Sequence, residues 1–183
     1  KKVNPPFVYK HLDAALFGGY LPFLDDPKAR EILDASVMGF DSIAVSGHKF
    51  YGLNEPAGIF VCRREILSHV QNNPVPYLNG VIPTISCSRS GFDALKLYWR
   101  ISVAGREGMR KQANAVLENA EYFYRALLKR GVKAWKNPYS NTVIFQRPAD
   151  EVVHKYALAC SDDEHWGRLS HAVVMQYFTH SLS

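Results

Sequence analysis

Two short apolar runs with a helix signal between them constrain this chain more than any other feature. Phe7-Val8-Tyr9 leads into His11-Leu12-Asp13, and Asp41-Ser42-Ile43-Ala44-Val45-Ser46 follows downstream. Each has the length and apolar character of a strand buried in a parallel sheet. Between them, 26–33 reads as a helix with Pro27 at its first position. A third strand, Gly58-Ile59-Phe60-Val61-Cys62, follows the Asn54-Glu55-Pro56 turn, and a short helix is expected over 65–70. Strands alternating with helices predict an α/β fold, and such sheets hold ligands at the C-terminal ends of their strands. Asp13 stands at that end of the first strand, and Lys49 on the loop leaving the second.

The character changes between Gln71 and Ser90. Asn72, Asn73, Pro74, Pro76, Asn79, Gly80 and Pro83 predict a long loop with little regular structure, and loops of this length inside a domain are functional or mobile. Helical spacing returns from Gly91 to about Arg130, with an apolar stripe of Leu95, Tyr98, Trp99, Ile101 and Ala104 and a kink or break at Gly105 and Gly108. The segment 114–130 is one helix, closed by Lys129-Arg130 and capped by Gly131, and its aromatic residues are core by their spacing. Two strands, 132–135 and 141–145, follow, joined by the turn Asn137-Pro138-Tyr139. This organisation predicts two domains, 1–104 and 105–183.

Composition excludes several classes. No apolar run reaches the roughly 18 residues of a membrane span; the longest, 14–24, is broken by Gly18, Gly19 and Pro22. The net charge of +5 comes from scattered basic residues rather than the dense stripe that nucleic acid requires. Cys62, Cys87 and Cys160 form no CxxC pair and leave one cysteine over, which favours reduced thiols and a cytoplasmic setting. His69, His154, His165, His171 and His180 show no metal-ligand spacing, so no metal is expected.

The chemistry concentrates in Ser46-Gly47-His48-Lys49 and His11-Leu12-Asp13-Ala14-Ala15. A lysine can condense with an aldehyde, and an aspartate can keep a pyridine nitrogen protonated, which makes the ring a better electron sink. Pyridoxal phosphate needs both. Ser46 and His48, flanking Lys49, can hydrogen-bond its phosphate. Each residue also has a plainer reading: Lys49 as a surface lysine after a strand, His48 as a structural histidine, Asp13 as a cap for the following helix.

These motifs resemble the group II pyridoxal-phosphate-dependent amino-acid decarboxylases, and within them the histidine decarboxylase and serine decarboxylase branch. The resemblance runs on through Ser86-Cys87-Ser88-Arg89-Ser90-Gly91 and Ala134-Trp135-Lys136-Asn137 and thins after about Arg147. It implies the C-terminal part of the type I (aspartate-aminotransferase) fold, a mixed, mostly parallel sheet with helices. On that fold 1–104 is the C-terminal half of the large cofactor-binding domain and 105–183 a small α+β domain. It implies that Lys49 carries pyridoxal 5'-phosphate, that Asp13 holds its ring nitrogen, and that Ala15 packs on its ring. It further implies that Tyr77 protonates the carbon that has lost CO2, that Ser88 reaches the neighbouring subunit's cofactor or substrate, and that Arg89 fixes that loop or contacts a phosphate. A homodimer or homo-oligomer with its site at the subunit interface is expected.

The chain departs from the family pattern in three places. Family members carry a long segment ahead of the His-x-Asp-Ala-Ala strand, so this chain is expected to be a fragment, a partial gene product or one piece of a split protein. Gly52-Leu53-Asn54-Glu55-Pro56-Ala57-Gly58 replaces the branch's Gly-Ser-Pro-x-Pro-Cys-Gly, and Gly80-Val81-Ile82-Pro83-Thr84 replaces a polar, acidic stretch. The last change leaves the amino-acid substrate open. A non-catalytic remnant or interaction subunit, or a pyridoxal-phosphate enzyme for aldehyde formation or transamination, are the competing readings; Tyr77 speaks against the aldehyde synthases.

Overall fold

The computed structural model describes residues 8–67, 74, 75, 77, 80, 81 and 89–178. They form two compact units. One comprises the described residues up to Pro22 and Asp26–Gly105; the other comprises Phe23–Asp25 and the described residues from Arg106 onward.

The first unit is built on a three-stranded sheet in the order β1-β2-β3: β1 (His11–Asp13), β2 (Ser42–Ser46) and β3 (Gly58–Cys62). β1 and β2 are parallel, with Asp13 beside Ala44, while β3 returns antiparallel to β2 with Phe60 beside Ala44. The crossover from β1 to β2 contains two 3-10 turns, then α1 (Pro27–Glu31) and α2 (Ala35–Met38). Asp26 and Asp34 cap these short helices through the backbone N–H groups of Lys28 and Ser36. The Asp26–Pro27 start is the one the sequence predicts; α2, only four residues long, was too short for periodicity to mark.

Glycine decides how the crossover leaves the sheet. A Cβ on Gly18 would stand 2.6 Å from Val45 Cγ2, and one on Gly19 would stand 2.7 Å from Phe50 Cβ. Only hydrogen fits there, so the backbone after Ala15 packs directly on β2 and on the residue that follows Lys49. Phe50 is completely buried, in edge-to-face contact with Tyr20 and Tyr51.

Beyond β3 come α3 (Arg64–Leu67) and a short antiparallel pair, β4 (Pro74–Val75) with β5 (Gly80–Val81). The predicted loop therefore contains one ladder. Helix α4 (Gly91–Lys129) belongs to both units and is interrupted at Gly105, whose φ of 61° and ψ of 177° are non-helical. Gly108 lies within the helix, so the break is at Gly105 alone. The apolar stripe ahead of it is a correction to the sequence reading. Leu95, Tyr98 and Trp99 are exposed, and the less exposed face carries Asp93, Lys96, Leu97, Arg100 and Ala104.

The second unit packs the later part of α4 and α5 (Asp150–Tyr156) with an antiparallel sheet in the order β6-β7-β9-β8. Its strands are β6 (Ala134–Trp135), β7 (Thr142–Gln146), β8 (Ala159–Asp163) and β9 (Gly167–Val173). Ala120, Ala134, Val143, Phe145 and Val174 form the core, with Phe123, Tyr124 and Leu127 packed against it. Tyr122 is exposed, so only part of the aromatic set of this helix is core. Buried Asn141 donates to the Val174 carbonyl at 2.9 Å, tying the residue before β7 to the one after β9.

On the helix surface, Arg125 beside Glu121, helped by Lys136, holds the Glu121 carboxyl below its ordinary value of 4.5. A depressed folded-state pKa contributes stability that is complete above about pH 4.5 and disappears as pH falls through the folded value. Glu121→Gln is therefore expected to lower stability at pH 7 by about 0.5 kcal/mol or less, as for an exposed pair. Thermal melts at pH 7 and pH 3 check this: the difference between wild type and variant should be smaller at pH 3.

Candidate functional site

The candidate site begins where β1 and β2 end. The Ala14 N–H donates to the Ala44 carbonyl at 3.0 Å, and the Ser46 N–H donates to the Ala15 carbonyl at 3.0 Å. The parallel pairing thus continues past the strand ends and lays Asp13-Ala14-Ala15 alongside Ala44-Val45-Ser46. Asp13 is exposed, and its Oδ1 accepts the Ala15 N–H at 3.0 Å. One carboxylate oxygen shapes the turn after β1, and Oδ2 has no partner among the described residues. Asp13 does not cap the following helix: the 3-10 turn Phe17–Gly19 starts at Leu16 with no side-chain cap, and the bond to Ala15 belongs to the turn after β1.

Lys49 is exposed between exposed His48 and buried Phe50. Its amine makes no hydrogen bond or ion pair among the described residues. The backbone beneath it is tightly connected. Gly47 N–H donates to the Ala57 carbonyl at 2.8 Å, Leu53 N–H to the Gly47 carbonyl at 3.1 Å, and Gly52 N–H to the Lys49 carbonyl at 3.1 Å. His48 Nδ1 accepts the Ala57 N–H at 3.3 Å, which leaves the proton of the neutral ring on Nε2 as an outward donor.

The ends of β1 and β2 therefore carry a carboxylate and a hydroxyl residue, and the loop leaving β2 carries an imidazole N–H and an amine. A pyridinium nitrogen, an aldehyde and a phosphate need those donor types, so the chemistry of the set fits pyridoxal phosphate. Two other sequence candidates stand apart from the cluster in their contacts. Tyr77 is 83% exposed, and Arg89 is exposed just ahead of α4. Neither makes a hydrogen bond to Asp13, Ser46, His48 or Lys49. Ser88 lies outside the described residues.

His11 works at the start of the strands. Its Nδ1 is 2.7 Å from Ser42 Oγ, which also accepts a bond from Tyr9 Oη at 2.6 Å, and its ring stacks with Phe60. Sequence reasoning missed two side chains that reach the Lys49 loop from α4. Lys96 contacts Asn54 and Glu55, and Arg100 Nε donates to the Tyr51 carbonyl at 3.2 Å. The only available signal was their spacing of one helical turn, because their partners lie far away in sequence.

Residues 8–144 match the pyridoxal-dependent decarboxylase conserved domain. Histidine decarboxylase of Vibrio campbellii is 36% identical over 169 residues, covering 92% of this chain and 41% of that protein. Serine decarboxylase 1 of Oryza sativa subsp. japonica is 37% identical over 172 residues, covering 93% and 34%. L-methionine decarboxylase from Streptomyces sp. 590 superposes with a TM-score of 0.74 at 25% identity, covering 94% of this chain and 40% of that one. Glutamate decarboxylase of Lactobacillus brevis, at 22% identity and a TM-score of 0.74, shares the fold. The chain spans about two-fifths or less of the length of these relatives, and its mixed α/β architecture is that of the C-terminal portion of type I decarboxylases. With the domain match covering most of its residues, the chain belongs to the pyridoxal-dependent decarboxylase family.

Proposed function

We propose that this chain contributes the lysine-bearing part of an enzyme that releases CO2 from an L-amino acid with pyridoxal 5'-phosphate. The observation carrying this reading is the pairing of Asp13-Ala14-Ala15 with Ala44-Val45-Ser46, which puts a partly unpartnered carboxylate and the Lys49 loop at one sheet edge. When bound, the cofactor supplies an electron sink that lets the bond to the substrate carboxylate break. Lys49 would hold it through the aldehyde carbon and release it to the incoming amine. Asp13 Oδ2 would keep a proton on the ring nitrogen by charge-assisted hydrogen bonding. Ala15 offers a methyl-sized side chain where the ring must approach closely. His48 Nε2–H and the Ser46 hydroxyl would donate to the phosphate.

Tyr77 is the proton donor of this reading, delivering its phenolic proton to the carbon that loses CO2. Its exposure suits a side chain that meets substrate only when the site closes. Ser88 and Arg89 would face the site of a second copy in a homodimer. The first unit corresponds to the C-terminal half of the large cofactor-binding domain, and the second to the small C-terminal domain. A cytoplasmic location accords with the free thiols of Cys62 and Cys160. No helix among the described residues is long and apolar enough to cross a membrane.

Histidine and serine are the first substrates to test, because they are the substrates named for the relatives at 36–37% identity. The test supplies pyridoxal phosphate to the whole enzyme of which this chain is proposed to form part and measures 14CO2 release from carboxyl-labelled histidine, serine, methionine and glutamate. Release from at least one is expected. Asp13→Asn should cut that release by about 10²-fold or more while the cofactor still binds. No release from any amino acid, despite bound cofactor, overturns the reading.

A further inference from the structure

We propose that Lys96 and Arg100 are positioning residues for the cofactor lysine, clamping its loop from one face of α4. The inference rests on the reading of Lys49 above and extends it to residues that no motif marks. Lys96 and Arg100 lie four apart in a helix, so they project from the same face about one turn from each other. Arg100 donates to the carbonyl of Tyr51, two residues beyond Lys49. Lys96 takes the far side of the loop, donating to Asn54 Oδ1 at 3.0 Å and pairing with Glu55 Oε2. It is itself held by Asp93 at 3.3 Å and lies over the Phe92 ring at 4.8 Å. Its side chain is only 19% exposed despite its charge.

What this grip fixes is visible in the loop's own bonds. Ala57 is tied at both its groups: its carbonyl accepts from Gly47 and its N–H donates to His48 Nδ1. Moving 54–55 therefore pulls on Ala57, which releases the ring of His48 and the backbone just before Lys49. Moving Tyr51 disturbs the turn closed by Gly52 N–H on the Lys49 carbonyl. Segment 51–57 contains no helix or strand, so fixing its residues costs conformational entropy that the short loop must recover from specific contacts. Charge-assisted bonds to a carbonyl and a carboxylate supply them. Glu55 lies in the segment where the chain departs from its family branch, and here it has a partner.

A pair on a half-covered surface adds little global stability, yet a displacement of about 1 Å at a reacting group can cost ~10²-fold in rate. Lys96→Met and Arg100→Met, which keep the apolar stems, are therefore expected to act on the loop far more than on folding. Amide exchange at Gly47, Gly52, Leu53 and Ala57 should quicken by about 10-fold, with amides of the second-unit core unchanged. The half-saturating concentration of pyridoxal phosphate should rise by about 10-fold and kcat should fall similarly, with KM for the amino acid unchanged. Lys96→Arg should restore most of each effect.

Unchanged exchange at those four amides overturns the clamp. So does quickened exchange spread evenly through both units with a matching fall in melting temperature, since that is general destabilisation. If the whole enzyme carrying this chain binds no pyridoxal phosphate, the functional reading fails, and the exchange pattern still decides the clamp on its own.

Discussion

Lys49→Ala is expected to abolish the visible absorption band that the proposed enzyme should acquire with pyridoxal phosphate, and to lower CO2 release by on the order of 10³-fold or more. Alanine has no amine to join the aldehyde carbon, so the cofactor would keep only the phosphate and ring contacts proposed for it. Lys49→Arg separates chemistry from charge. Arginine keeps the positive charge, but its guanidinium stays protonated and does not condense with an aldehyde. Both variants should be inactive with near-normal melting temperatures, because Lys49 is exposed and its side chain makes no hydrogen bond or ion pair among the described residues. A Lys49→Arg protein that keeps both band and activity would show that Lys49 acts only as a cation.

The second large effect is on packing one residue further on. Phe50→Ala is expected to destabilise the protein by about 3–5 kcal/mol, the range for removing a fully buried aromatic side chain. Phe50 is at 0% exposure, with ring centroids of Tyr20 at 6.1 Å and Tyr51 at 5.7 Å. Gly19 has no side chain with which to refill the space. Phe50→Leu, which fills more of that volume, should cost less than half as much. Denaturant unfolding followed in the first unit measures both. A Phe50→Ala loss under about 1 kcal/mol would mean that the Gly18-Gly19 turn collapses onto the vacated site.

Strands 42–46 and 58–62 were legible because short apolar runs bounded by turn residues leave few alternatives; β1 covers only His11–Asp13, with Val8 and Tyr9 ahead of it outside the strand and exposed. The start of α1 was legible because Asp-Pro is both cap and first turn. The family could be recognised from an ordered set of local motifs, each contiguous in the chain. The break in α4 was half legible: two glycines qualified, and only the backbone shows that Gly105 adopts the positive φ. The strands after Phe145 escaped notice because β8, at the sheet edge, is exposed along its whole length and carries no alternation.

The residues around Lys49 divide along the same line. Sequence alone determined the chemical inventory at the strand ends: an aspartate, a serine, a histidine and a lysine at spacings set by local chain geometry. Periodicity also marked Leu95, Tyr98 and Trp99, which the fold leaves exposed, while Lys96 and Arg100 on the other face hold the loop. A hydrophobic pattern reports which side chains avoid water, not which partner a helix meets. Contacts such as Lys96 with Glu55 and Arg100 with Tyr51 join residues remote in the chain, so no local rule relates them. Only the tertiary structure decides them, because they exist once α4 has packed beside the loop.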